Sequence, residues 1–128
     1  MSLKKLLIMM RGFMPQIAHN KDAMTDQVLD LYLSPWSSEV GKKALFRDFR
    51  RLNPEYMQAI VGDLKHLDHE TLIMWGEKDA FQKPRYASKP QETIPNAELI
   101  WIKDAGHWLM EEKPEAVSCQ LITFLDKQ

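Results

Sequence analysis

At 128 residues, 45% hydrophobic and 27% charged, the chain has the size and balance of one ordinary soluble domain or of a piece of a larger one. Its 17 basic and 18 acidic residues leave a net charge of −1, which excludes the strong positive field expected of a nucleic-acid or anionic-membrane binder. A single cysteine, Cys119, excludes an internal disulfide and a multi-cysteine metal site and suits a reducing compartment. The start, Met1 to Lys5 followed by the apolar run Leu6 to Met10, is too short for a secretion signal and lacks a clean small-residue cleavage site. No run approaches the ~20 apolar residues of a membrane span. These features predict a soluble, cytoplasmic protein.

Residues 1–66 read as helical throughout. Leu3, Leu6, Leu7, Met10 and Met14 share one helix face, which Gly12 weakens and Pro15 ends. Met24, Val28, Leu31 and Tyr32 repeat the pattern, with Asn20 or Asp22 as the expected N-cap. Ser34-Pro35-Trp36-Ser37-Ser38 breaks it, and Leu45, Phe49 and Leu52 line another helix. Asn53-Pro54 starts the next one, with a cap residue followed by proline at the first helical position. Met57, Ile60, Val61 and Leu64 form its apolar stripe. Methionine is frequent in this half, where flexible thioethers suit either ordinary core or an adaptable pocket wall.

Residues 67–128 alternate strand and helix. Thr71-Leu72-Ile73-Met74-Trp75 is an unbroken apolar run, the pattern of a parallel-sheet strand covered on both faces. A helix is expected over roughly 82–92, a turn at Ile94-Pro95-Asn96-Ala97, and a second strand at Glu98-Leu99-Ile100-Trp101-Ile102. Lys113-Pro114-Glu115 opens a last helix with Val117, Leu121, Phe124 and Leu125 on its buried stripe. Cys119 lies about 200° around that helix from Val117, off the stripe. The order βαβα implies two parallel strands and an α/β class.

The chemistry follows from this topology. Functional groups gather at the carboxyl ends of strands in open parallel sheets. Asp79 lies four residues past Trp75, and His107 lies five past Ile102. Neighbouring strands are about 4.8 Å apart, so a carboxylate on one loop can reach an imidazole on the other. A carboxylate accepting from Nδ1–H fixes the histidine tautomer and leaves Nε2 as a general base. Gly76 and Gly106 would let the backbone turn sharply before each functional residue. Glu77 and Asp104 are competing carboxylates. His66 and His69, with Asp68 between them, lack further ligands at metal-binding spacing, so neither a metal nor a cofactor is expected.

From Thr71 onward the chain resembles the C-terminal part of an α/β-hydrolase. The matching stretches are Leu72-Ile73-Met74-Trp75-Gly76-Glu77-Lys78-Asp79, Ile94-Pro95-Asn96-Ala97-Glu98-Leu99, Asp104-Ala105-Gly106-His107-Trp108 and Glu112-Lys113-Pro114-Glu115. The resemblance is to the capped branch, which includes epoxide hydrolases, haloalkane dehalogenases, carbon–carbon-bond hydrolases and esterases. It implies that Asp79 is the acid and His107 the base of a catalytic triad, in the family order of nucleophile, acid, histidine. It also implies that residues 1–66 resemble the cap, with Phe13, Trp36 and Trp108 as pocket walls or core, and that the substrate is a small apolar ester or a related molecule.

The chain departs from the family pattern in one large respect. None of Ser2, Ser34, Ser37, Ser38, Ser88 and Ser118 stands in a G-x-S-x-G setting, and no G-x-D-x-G turn is present. The expectation is therefore a partial α/β-hydrolase fold that holds acid and base but is inactive alone, lacking nucleophile and oxyanion hole. Unpaired sheet edges recruit other strands, so either self-association or a complementary N-terminal hydrolase half is expected. The alternative is a non-catalytic assembly or ligand-binding module derived from the same fold.

Overall fold

The computed structural model describes residues 2–127. Four helices come first: α1 (Leu3–Phe13), α2 (Asp26–Leu33), α3 (Glu39–Arg51) and α4 (Pro54–Val61). Two strands follow, β1 (Thr71–Gly76) and β2 (Ala97–Ile102), joined through α5 (Ser88–Thr93), and the chain closes with α6 (Leu109–Glu112) and α7 (Pro114–Leu125). Short 3₁₀ turns link several of these elements. Among the described residues no helix is long and apolar enough to cross a membrane.

Side chains satisfy the orphan amides at several helix starts. Ser2 caps α1, Ser38 caps α3 and Asn53 caps α4 with Pro54 at its first position. The cap of α2 is Thr25, whose hydroxyl accepts from Val28 N–H. Asn20, one of the two expected caps, instead starts a separate 3₁₀ turn, Lys21–Ala23, that the apolar pattern did not separate from α2.

The helical half has a core of Met14, Ala18, Met24, Leu29 and Leu33, flanked by Leu7, Met10, Val28, Tyr32, Trp36 and Trp108. Leu31, expected on the buried stripe of α2, is 73% exposed, and Leu29 and Leu33 point inward instead. Of the α3 stripe only Leu45 is buried, while Phe49 and Leu52 are exposed. On α4 Tyr56, Met57, Ile60 and Val61 are all exposed. The periodicity is right for a helix, but the described residues leave its apolar stripe largely exposed.

The sheet pairs β1 and β2 in parallel, with Thr71 opposite Ala97, Trp75 opposite Trp101 and Gly76 opposite Ile102. Ile102, Ala105 and Val117 form a second core, with Met74, Ile100 and Leu109 packed on it. This core joins the sheet to α7. The other residue set, Ile73, Trp75, Leu99 and Trp101, is only half-buried, and Trp101 is exposed. The expected cover on both faces is thus incomplete. Leu121 and Leu125 of α7 are likewise exposed rather than buried. The helix expected over 82–92 is shorter and later: a 3₁₀ turn at Pro84–Tyr86, then α5.

Candidate active site

Asp79 and His107 meet at one sheet edge because β1 and β2 run parallel in this register. The ladder continues past the strands: Glu77 N–H donates to Ile102 O, and Lys78 N–H donates to Ala105 O at 2.9 Å. Asp79 N–H closes a tight turn onto Gly76 O. The two loops are therefore bonded to each other before either functional side chain begins.

Asp79 is 7% exposed and fully engaged. Its Oδ1 accepts from the amides of Phe81 at 2.9 Å and Gln82 at 2.8 Å, and its Oδ2 lies 3.1 Å from His107 Nδ1. One oxygen thus anchors the carboxylate to its own loop and the other faces the ring. Glu77 and Asp104, the competing carboxylates, are both exposed. Asp104 takes a left-handed backbone conformation, φ 53°, in the turn that leads to His107.

The two glycines serve a purpose other than the one expected. Neither has a positive φ, so neither is needed for an unusual turn. They permit close approach. A Cβ at Gly76 would lie 2.3 Å from Gly106 O and 2.5 Å from Ala105 O. One at Gly106 would lie 2.4 Å from His19 N.

His107 is held from several sides. Its amide donates to Ile17 O, tying it to the helical half. Phe81 and Trp108 both contact its ring edge-to-face, with centroids 4.9 and 5.4 Å away. Trp108 Nε1 donates to Met14 O at 2.9 Å, and its ring packs 5.2 Å from Tyr32. Tyr32 in turn donates its hydroxyl to Glu111 Oε1 at 2.8 Å. Burial, followed by this hydrogen bond and the Glu111 charge, pushes the Tyr32 phenol above its ordinary value.

A cavity of about 540 Å³ opens at the imidazole. His107, Phe81, Phe13, Trp36 and Trp108 line it, together with Leu6, Met9, Met10, Met14, Ile17, Tyr32, Leu33 and Phe49. The three expected wall residues Phe13, Trp36 and Trp108 therefore share one chamber with the histidine. Phe13 and Phe49, both exposed, lie on its wall. Three methionines of the helical half, Met9, Met10 and Met14, belong to the wall. Among the described residues no acidic or basic side chain lines the chamber apart from the imidazole itself. His66 and His69 are exposed and form no part of it, and Cys119 is exposed on α7. Among the described residues no group of three or more His, Cys, Asp or Glu is placed to hold a metal.

Two participants escaped sequence reasoning. Phe81 reads as an ordinary loop residue two places past the acid, yet it bridges Phe13 and the imidazole. Glu112 reads as a solvated helix-end acid, yet it is buried and accepts from Gly106 N–H at 3.0 Å and Asn20 N–H at 2.8 Å. Its one sequence signal was its place in the Glu112-Lys113-Pro114-Glu115 stretch.

Comparison with known proteins bears on the family and the fold. Residues 15–114 match the family described as the alpha/beta hydrolase fold. The chain is 27% identical over 113 residues to the uncharacterized hydrolase YugF of Bacillus subtilis (strain 168), covering 85% of this chain and 39% of that protein. It is 25% identical over 125 residues to epoxide hydrolase 2 of Caenorhabditis elegans, covering 98% of this chain and 34% of the relative. Among solved structures, an alpha/beta hydrolase fold protein from Burkholderia ambifaria superposes with a TM-score of 0.83 at 23% identity, over 96% of this chain and 45% of that one. A meta-cleavage product hydrolase from Pseudomonas fluorescens IP01 superposes with a TM-score of 0.77 at 22% identity, over 94% of this chain and 46% of the other. At these identities the structural likeness speaks for the fold. The chain spans less than half the length of each of these proteins.

Proposed function

The chain belongs to the α/β-hydrolase fold family, and we propose that it supplies the acid, the base and the substrate chamber of a hydrolase acting on small apolar molecules. The carrying observation is the 3.1 Å pairing of His107 Nδ1 with Asp79 Oδ2 at the mouth of the apolar cavity. On this reading Asp79 holds the Nδ1–H tautomer and stabilises the imidazolium. Nε2 takes a proton from a serine hydroxyl during attack, or from water if the nucleophile is an aspartate. Residues 1–66 act as the cap over the site and 67–128 as the C-terminal part of the core. Phe13, Trp36 and Trp108 are substrate walls.

The nucleophile and oxyanion donors lie on a segment outside these 128 residues, so the chain by itself turns over little or no substrate. The exposed stripe of α4 and the two outer edges of the sheet, unpaired among the described residues, are surfaces open to such a segment or to a second copy of the chain. Co-expression with the N-terminal half of a related hydrolase, bearing a G-x-S-x-G or G-x-D-x-G turn, should restore hydrolysis of a neutral aromatic ester or epoxide. His107→Ala should abolish it. Turnover unchanged in that variant would overturn the assignment.

A second reading is a non-catalytic binding module. The observation in its favour is that the open apolar cavity is already lined by side chains of this chain. Binding of an apolar ligand with no hydrolysis in any complemented assembly would select it.

A further inference from the structure

We infer that Glu112 is a positioning residue for His107: its buried carboxylate bridges the Gly106 and Asn20 amides and so fixes the loop bearing the imidazole against the helical half. The catalytic consequence rests on the reading of His107 as the base, whereas the bridge itself does not.

Glu112 is 8% exposed and is not among the hydrogen-bond partners of the Asp79 carboxylate, which are the Phe81 and Gln82 amides and the imidazole. Its Oε1 lies 3.0 Å from Gly106 N, immediately before His107, and its Oε2 lies 2.8 Å from Asn20 N. The same stretch of the helical half receives the loop a second time, through His107 N–H to Ile17 O at 3.2 Å. Two consecutive amides, Gly106 N–H and His107 N–H, are therefore tied to one segment, residues 17–20, the first through Glu112.

The chemistry of the bridge is selective. Two amide N–H groups are both donors, and joining them needs a group that only accepts. An ionised carboxylate offers two such oxygens, whereas a glutamine amide offers one acceptor and one donor. A buried carboxylate also needs partners of this kind to offset its desolvation. The seat is tight: a Cβ at Gly106 would come within 2.9 Å of Glu112 Oε1 and 2.4 Å of His19 N. The carboxylate is itself held at the end of α6, where Glu112 N–H donates to Trp108 O at 2.9 Å. With these two adjacent amides anchored, the His107 ring stays within reach of Asp79 and between Phe81 and Trp108.

The test reads the ring directly and needs no turnover. In the ¹⁵N-labelled chain, the imidazole nitrogens of His107 should show the Nδ1–H tautomer. In Glu112→Gln the two ring shifts should move toward each other as the tautomers average, while the amide fingerprint of α2 and α3 and the melting temperature stay close to the parent. Ring shifts that superimpose on those of the parent would overturn the inference. Should Glu112→Gln fail to fold, hydrogen exchange in the unaltered chain decides the matter. The Gly106 and Asn20 amides and the His107 Nδ1–H should then open at one common rate, and unrelated rates would overturn the inference. In a complemented, active assembly the same variant should lower kcat about 10- to 100-fold with KM within about twofold. If the bridge orders the ring yet His107→Ala leaves hydrolysis intact, the catalytic reading falls and the bridge stands.

Discussion

His107 Nδ1 stands 3.1 Å from Asp79 Oδ2, across two loops whose functional residues are 28 positions apart in sequence. The distance is set by backbone rather than by side-chain reach. Adjacent parallel strands deliver both loops to one edge, and the bonds from Glu77 to Ile102 and from Lys78 to Ala105 join the loops before the side chains start. Asp79 then divides its oxygens, one for its own loop and one for the imidazole.

This division makes Asp79→Asn a clean probe. The remaining oxygen still accepts from the Phe81 and Gln82 amides, so the loop keeps its shape. The new amide N–H₂ faces Nδ1 and selects the wrong tautomer. In a complemented assembly kcat should fall by about 10⁴, with a far smaller change in KM. Steady-state kinetics on a neutral ester checks this.

Gly76→Ala should destabilise the fold by about 1–3 kcal/mol or more, because its Cβ would lie 2.3 Å from Gly106 O, a backbone atom that cannot step aside cheaply. Gly12→Ala is the contrasting case. Gly12 sits within α1 and has open space around it, so alanine there should stabilise by up to about 1 kcal/mol. Urea denaturation of the two variants separates close approach from helix propensity.

Tyr32 predicts an alkaline limb in the stability curve. Burial and the contact with Glu111 raise the folded phenol above its unfolded value, near 10. The proton-bound form is thus favoured by folding. Its stabilisation is complete below that unfolded value and is lost as pH rises through the raised folded one. Tyr32→Phe should lose about 1 kcal/mol or less at neutral pH and should show a shallower decline above pH ~10. Unfolding free energies measured from pH 8.5 to 11 check the slope.

The chamber should prefer neutral ligands. Apart from His107 its walls carry no cation to meet an anion, and a desolvated carboxylate without a partner is costly. A neutral aromatic ester analogue should shift the fluorescence of Trp36 and Trp108, and the matching carboxylate should bind at least ~10-fold more weakly. Equal affinities would point to a cation brought by another segment.

The exposed apolar residues on α4 and the open outer edges of the two-stranded sheet predict association. Sedimentation velocity should show mass rising with concentration, and Ile60→Lys together with Val61→Lys should shift the chain toward monomer. A monomer at all concentrations would leave complementation by a separate segment as the use of that surface.

By itself the sequence determined the class of each half, both strands, their parallel pairing, and the Asp79 and His107 loops. These signals are local: an unbroken apolar run, a cap followed by proline, a glycine beside a polar residue, each set by a few neighbouring positions. Tertiary structure alone decided which apolar faces find a partner. Leu31, Phe49 and Ile60 obey helical period as well as Leu29 and Leu45 do, yet burial depends on what lies opposite, and no periodicity records that. The glycines show the same division. Their identity was visible, but their reason lies in distant atoms, where Gly76 meets Gly106 and Gly106 meets His19. Glu112 was the least legible of all. A carboxylate at a helix end reads as solvated until two distant amides, at Gly106 and Asn20, are brought to it, and only the folded chain brings them there.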